Sequence, residues 1–213
     1  MAGEFVVYGE RGWGNVAVEA GLTLIGAPYR VVDAGASGPE RPPQTVTAQV
    51  PVLELPGGEI ITESAAILIW LADAFPQARL SPPIDSPRRP AFLRWMAFVS
   101  SSIYALYWVR DVPGRVVDGE AAQAQVKTRL AERIVRGWGL MEAGITPGPW
   151  LLGEDLTVLD LYVTVVSRWT PRGPLHDHIA PRIGAVVRRV ESHPRLAALW
   201  AERFPLGLDP DEG

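Results

Sequence analysis

The chain has 213 residues, a formal net charge of −4, 20 prolines and no cysteine. That length holds one large domain or two modest ones, each able to bury a core. Disulfides, thiolate metal sites and a cysteine nucleophile are excluded outright, and the mild acidity weighs against nucleic acid or a membrane surface as partner.

The opening residues, MAGEFVVYGERGWG, lack the basic and apolar blocks of a secretory leader, and no apolar run reaches spanning length, so a cytoplasmic location is expected. Phe5 to Tyr8 reads as a short buried strand. Gly9 to Gly14 is a loop whose glycines permit close backbone approach. Asn15 is suited to cap the helix that follows, with Val16, Ala20 and Leu24 on one face. Gly26, with Pro28 just beyond, stops it. Tyr29 to Ala34 is a second strand, and strand–helix–strand at this spacing implies parallel pairing. Residues 35–48, rich in Gly, Pro, Ser and Thr, read as a surface loop.

The most informative stretch runs from Gln49 to Asp73. Val50-Pro51 is an X-Pro bond, the one common home of a cis peptide. Val52 to Leu55 is strand-like, Pro56-Gly57-Gly58 is a turn, and Glu59 to Ile61 returns, completing a four-stranded mixed sheet. Ile67, Leu68 and Leu71 then recur at helical spacing behind Glu63-Ser64. The first turn of a helix carries unpaired N–H groups and the positive end of the dipole, and so can hold a carboxylate. Glu63 can pair with an ammonium group, and a cis Val50-Pro51 would turn a backbone N–H and C=O towards an extended peptide. An amino-acid-like ligand with a peptide tail suits all three; simple helix capping is the alternative for Glu63 and Ser64.

Ser81-Pro82-Pro83, Pro87 and Pro90 mark a linker, beyond which every pattern is helical: Pro90 to about Val109, Gly119 to about Glu142, Thr157 to about Ser167, Arg182 to Glu191 and Pro194 to Phe204. Trp150 to Gly153 is a buried connection and the acidic end a frayed tail. Thr157 and Asp160 form a capping box, with Leu156 and Leu161 placed as a hydrophobic staple, a structural device. His176-Asp177-His178 has no third ligand in view, so no metal site is expected.

Val50-Pro51 before a strand, Glu63-Ser64 opening the next helix and the Thr157–Asp160 box together make the chain resemble the cytosolic glutathione S-transferase superfamily (GST), as a bacterial-type member. The resemblance spans nearly the whole chain. It implies an α/β thioredoxin-like N-terminal domain over residues 1–79, a linker over 80–90 and an all-α C-terminal helical bundle over 91–213. It also implies glutathione as substrate or cofactor, no metal, a small apolar electrophile and a homodimer. By the same resemblance Gln49, Val50, Pro51, Glu63 and Ser64 hold the tripeptide, with Trp13 either lining the site mouth or simply packing.

The chain departs from the family where many classes place Ser or Cys, reading Gly12-Trp13-Gly14 instead. Glutathione's thiol, with a pKa of about 8.5 when free, needs a donor to favour its thiolate. Two side chains are candidates. Tyr8 stands where tyrosine-dependent classes carry theirs, and Asn15 near the serine or asparagine of others; the N–H groups of Gly14 and Asn15 add to either. For Tyr8 the alternative is a core aromatic, and for Asn15 a plain cap. Tyr104, Tyr107, Trp108 and Arg110 are the candidate wall of the second-substrate pocket, approached by Trp169 and Arg172, although aromatics at this spacing also build cores. A non-catalytic binding or regulatory module, and a glutathione-dependent isomerase or dehalogenase, are the competing readings.

Overall fold

In a computed structural model the described residues are 3–34, 49–170 and 173–204. The expected surface loop over 35–48, Arg172 and the acidic tail lie outside them. Strand β1 (Phe5–Gly9) leads through a glycine loop into helix α1 (Asn15–Ile25) and back to β2 (Tyr29–Asp33); β3 (Val52–Glu54), β4 (Ile60–Thr62) and α2 (Ser64–Ala74) follow. The sheet order is β2-β1-β3-β4, with β1 parallel to β2 and the other pairs antiparallel. This is the thioredoxin-like arrangement. Alternation along the strands sorts the two faces. Phe5, Val7 and Leu53 point into one core with Val16 and Ala20 of α1 and Ile67, Leu68 and Leu71 of α2.

Local chemistry explains the turns. Gly26 takes φ 80, a left-handed stop, and its N–H and that of Ala27 both return to the Leu22 carbonyl. Gly58, at φ 87, lets the Pro56-Gly57-Gly58 turn close, with the Leu55 N–H on the Glu59 carbonyl at 2.8 Å. The Val50-Pro51 bond is cis, as the sequence implied.

The second half is all helical: α3 (Arg89–Phe98), α4 (Ala105–Asp111), α5 (Glu120–Gly144), α6 (Val158–Ser167), α7 (Pro181–Glu191) and α8 (Ala197–Arg203). The single helix expected from Pro90 to Val109 is a continuous rod from 89 to 111, but Val99–Tyr104 within it is wound as a π-helix. Three successive serines weaken the ladder there, and Ser101 Oγ donates back to the Ala97 carbonyl at 2.8 Å. A second π-helical turn, Pro174–Ile179, carries the His176-Asp177-His178 run between α6 and α7. α6 is the core helix, buried along its whole length. It begins with the expected capping box: Asp160 Oδ2 accepts from the Thr157 N–H and Oγ1, each at 2.8 Å, and Oδ1 from the Leu151 N–H at 2.8 Å. The proline-rich connection is not slack. The Leu80 carbonyl accepts the Val158 N–H at 2.8 Å, and Arg89, 8% exposed, grips Asp73 with both terminal nitrogens at 2.8 and 2.6 Å.

Candidate functional site

Two helix starts and the β1–α1 loop meet the helical domain here. At α2, Glu63 is forced to φ 66, a left-handed conformation that costs a non-glycine residue energy and marks functional positions. The capping alternative is set aside: Glu63 stands at the N-cap position of α2 but its side chain makes no cap bond, and Ser64 is already the first residue of the helix. Instead Ser64 Oγ, 6% exposed, shares a 2.9 Å hydrogen bond with the hydroxyl of Tyr162 on α6. Burial pushes that tyrosine up to about 12, so it stays a neutral hydroxyl at ordinary pH. The N–H groups of Ser64, Ala65 and Ala66 meet no acceptor among the described residues. Gln49 is exposed, Val50 half-buried and Pro51 buried just ahead of β3.

The β1–α1 loop carries a second set of donors. The Trp13 N–H reaches the Glu10 carbonyl at 3.3 Å and the Val16 N–H reaches the Trp13 carbonyl at 3.1 Å. The N–H groups of Gly14 and Asn15 have no acceptor among the described residues. They sit at the positive end of an 11-residue helix, where a thiolate is favoured. The helical domain grips this loop from the far side. Trp169 Nε1 donates to the Gly12 carbonyl at 2.9 Å, and Gly14 lies so close to the Tyr104 hydroxyl that a Cβ there would fall 2.3 Å from it.

Both expected side-chain donors have other partners. Tyr8 lies on the sheet face opposite the α1–α2 core, and its hydroxyl donates to Glu54 Oε2 at 2.8 Å. Asn15 is not a cap either; the N-terminal cap position of α1 is Gly14, without a side-chain bond. The Asn15 amide is fully buried, its oxygen accepting the Glu10 N–H at 3.0 Å and its nitrogen donating to Glu19 Oε1 at 2.7 Å. Gly9 is required beside it, since a Cβ at that position would lie 2.1 Å from Asn15 Cγ.

The proposed wall of the second pocket divides into packed and open members. Tyr104 packs on Trp169 in a tilted contact and Tyr107 edge-on, with ring centroids 4.8 and 5.3 Å apart. The Tyr107 hydroxyl bonds Thr170, and burial pushes both tyrosines upward. Arg110 lies over the Tyr107 ring at 4.4 Å and donates to the Trp169 carbonyl at 2.9 Å, so its charge is spent on packing and on Asp111. Trp13 and Trp108 remain, 46% and 45% exposed. Sequence reasoning missed Tyr162, Glu19 and Arg203; only Glu19 left a signal, as an acid one helical turn from Asn15 on an otherwise apolar face. Among the described residues no group of three His, Cys, Asp or Glu could hold a metal, and Asp177 of the histidine pair faces Arg188 at 3.3 Å. Nor is any helix among them long and apolar enough to cross a membrane.

Similarity to known proteins agrees with this geometry. The model of the glutathione S-transferase N-terminal domain matches residues 18–74. The uncharacterized GST-like protein YncG of Escherichia coli K12 is 31% identical over 196 residues, 89% of this chain and 94% of its own. Glutathione S-transferase GstA of Escherichia coli O157:H7 is 26% identical over 158 residues, 72% of this chain and 74% of its own. A glutathione transferase homologue from Sulfitobacter, solved with bound glutathione, shares the fold at a TM-score of 0.83 and 22% identity, covering 93% of this chain and 97% of that one. A glutathione transferase from Methylococcus capsulatus str. Bath gives 0.69 at 27% identity, covering 92% and 96%. With a thioredoxin-like sheet docked on a helical bundle and a relative of this similarity along almost its full length, the chain belongs to the glutathione S-transferase superfamily.

Proposed function

We propose that the protein binds glutathione between the starts of α1 and α2 and activates its thiol for attack on a small apolar electrophile, acting as a cytoplasmic homodimer. The N–H groups and hydroxyl at the tip of α2 take a carboxylate of the tripeptide, Glu63 takes its ammonium group, and Gln49, Val50 and Pro51 align its backbone. The N–H groups of Gly14 and Asn15 hold the sulfur. The thiol proton leaves to solvent, the thiolate forms a C–S bond, and the electrophile's leaving group departs with its electron pair. Trp13 and Trp108 offer apolar surface to that electrophile. No step calls for a metal. The domains meet at the proline-rich segment over 80–90, and both helix starts belong to the first domain and face the second through Trp169 and Tyr162.

The observation that carries this reading is the tip of α2: a strained Glu63, a Ser64 hydroxyl oriented by Tyr162, and N–H groups beside them that meet no acceptor among the described residues. Isothermal titration with glutathione tests it. Binding is expected, and Ser64→Ala should weaken it about tenfold, the loss of one hydrogen bond to a charged group. No binding by the unaltered protein at millimolar glutathione would defeat the proposal.

A second reading, a glutathione-binding module without catalysis, draws on one fact: Tyr8 and Asn15 both spend their side chains internally. Titrating the thiolate absorbance of bound glutathione separates the two. A thiol that ionises at the same pH bound as free favours the module.

A further inference from the structure

Asn15 and Glu19 lie one turn apart on α1, 0% and 1% exposed. Three hydrogen bonds run in line from the last helix to the site loop. Arg203 Nε, at the end of α8, donates to Glu19 Oε2 at 2.8 Å. Asn15 Nδ2 donates to Glu19 Oε1 at 2.7 Å, and the Glu10 N–H donates to Asn15 Oδ1 at 3.0 Å. The Glu10 carbonyl in turn accepts the Trp13 N–H, closing the turn that ends at the Gly14 and Asn15 N–H groups.

Stability is a poor reason for this arrangement. A carboxylate buried in α1 loses its hydration, and replacing a buried ion pair with packed apolar side chains is often neutral or favourable. Burial pushes the Glu19 carboxyl upward even against the pull of Arg203 and Asn15. What an ionised carboxylate does offer is an acceptor with no donor. Facing Glu19, the Asn15 amide has to present its nitrogen, which leaves its oxygen to the Glu10 N–H.

We propose that Glu19, held by Arg203, is a positioning residue for thiol activation: it fixes the orientation of the Asn15 amide and thereby the loop whose N–H groups receive the glutathione sulfur. This rests on the site reading given under Proposed function. Glu19→Gln is the discriminating variant, because glutamine has one acceptor and one donor side. If its oxygen serves Arg203, its nitrogen forces the Asn15 amide to flip, and a flipped amide turns a donor towards the Glu10 N–H. If its oxygen serves Asn15, its nitrogen is turned against the Arg203 guanidinium, and the group that orients Asn15 loses the anchor that holds it in place. One link breaks either way.

The test measures glutathione affinity by calorimetry, the pKa of the bound thiol by thiolate absorbance, and kcat with a chloronitroaryl electrophile. Glu19→Gln should bind glutathione within roughly threefold of the unaltered protein, while the bound thiol pKa rises by about one unit or more and kcat falls about tenfold or more. Arg203, whose side chain is 20% exposed near the chain's end, gives a second and gentler perturbation. Arg203→Gln should show the same signature and Arg203→Lys should recover most of kcat. An unshifted thiol and unchanged kcat in either folded Gln variant would overturn the proposal, as would a parallel loss of affinity and turnover. If the unaltered protein fails to bind glutathione, the site reading falls and this inference with it; normal binding with an unmoved variant thiol removes the inference alone.

Discussion

Gly14 is where the two domains press hardest on the site loop, and its replacement by alanine has a calculable cost. Its φ of −62 suits any residue, so the backbone gains from alanine: removing glycine's freedom in the unfolded chain is worth about 0.4–1 kcal/mol. Sterics oppose this. The new Cβ would lie 2.3 Å from the Tyr104 hydroxyl oxygen and 3.0 and 3.1 Å from ring carbons Cζ and Cε1. Relief requires the hydroxyl to retreat by about 1 Å to reach van der Waals distance. The ring has little room, packed between Tyr162 and Trp169 at 6.1 and 4.8 Å. Overpacking of this kind costs about 1–3 kcal/mol, so Gly14→Ala should destabilise by about 1–2 kcal/mol net. Tyr104→Phe removes the oxygen and leaves ring contacts that need only a few tenths of an ångström. Loss of one tyrosine hydroxyl should by itself cost about 1 kcal/mol or less. Urea unfolding of the four proteins closes the cycle. The double variant should be more stable than additivity allows by about 1 kcal/mol. Additivity within about 0.5 kcal/mol would refute the claim that Gly14 is kept small by Tyr104.

Two further outcomes follow from buried charges. Burial pushes Asp160 up to about 6 from 3.8 despite its three hydrogen bonds, so the folded state holds that proton more tightly than the unfolded chain does. Its contribution is therefore complete below about pH 4 and lost as pH rises to about 6, by about 3 kcal/mol at 1.4 per pKa unit. The stability difference between the unaltered protein and Asp160→Asn, followed across that window, should fall by this amount; a flat difference would contradict it. At the linker, Asp73→Asn strands the buried Arg89 and should cost about 3 kcal/mol, the low end for a broken buried pair because the Asp73 side chain is 33% exposed. Thermal unfolding would show it, and the double change Asp73→Leu with Arg89→Met should recover most of the loss.

Features that depend on near neighbours in sequence were readable in advance. Alternating strands, the Gly26 stop, the Thr157–Asp160 box and the Val50-Pro51 bond all declare themselves within a few residues. Of the candidate site, near neighbours disclosed only backbone elements: the β1–α1 loop, the cis bond before β3 and the start of α2. Ser64 is oriented by Tyr162, 98 positions away, and Glu19 is neutralised by Arg203, 184 positions away. No periodicity connects such pairs. Asn15 shows the consequence: its residue type fits a cap, yet Glu19 beneath and the Glu10 N–H beside it recruit the amide for an interior bond. The π-helical winding of Val99–Tyr104 was equally hidden, because serine-rich segments fit either winding until neighbours choose between them.

The indole of Trp169 touches both halves of the problem. It holds the Gly12 carbonyl while its ring supports Tyr104 and Tyr107. Reshaping that aromatic bed would therefore disturb the β1–α1 loop, where the proposed function seats the sulfur, as well. If the proposed function holds, electrophile choice and thiol activation are mechanically geared together through Trp169, and mutational paths that broaden one should weaken the other.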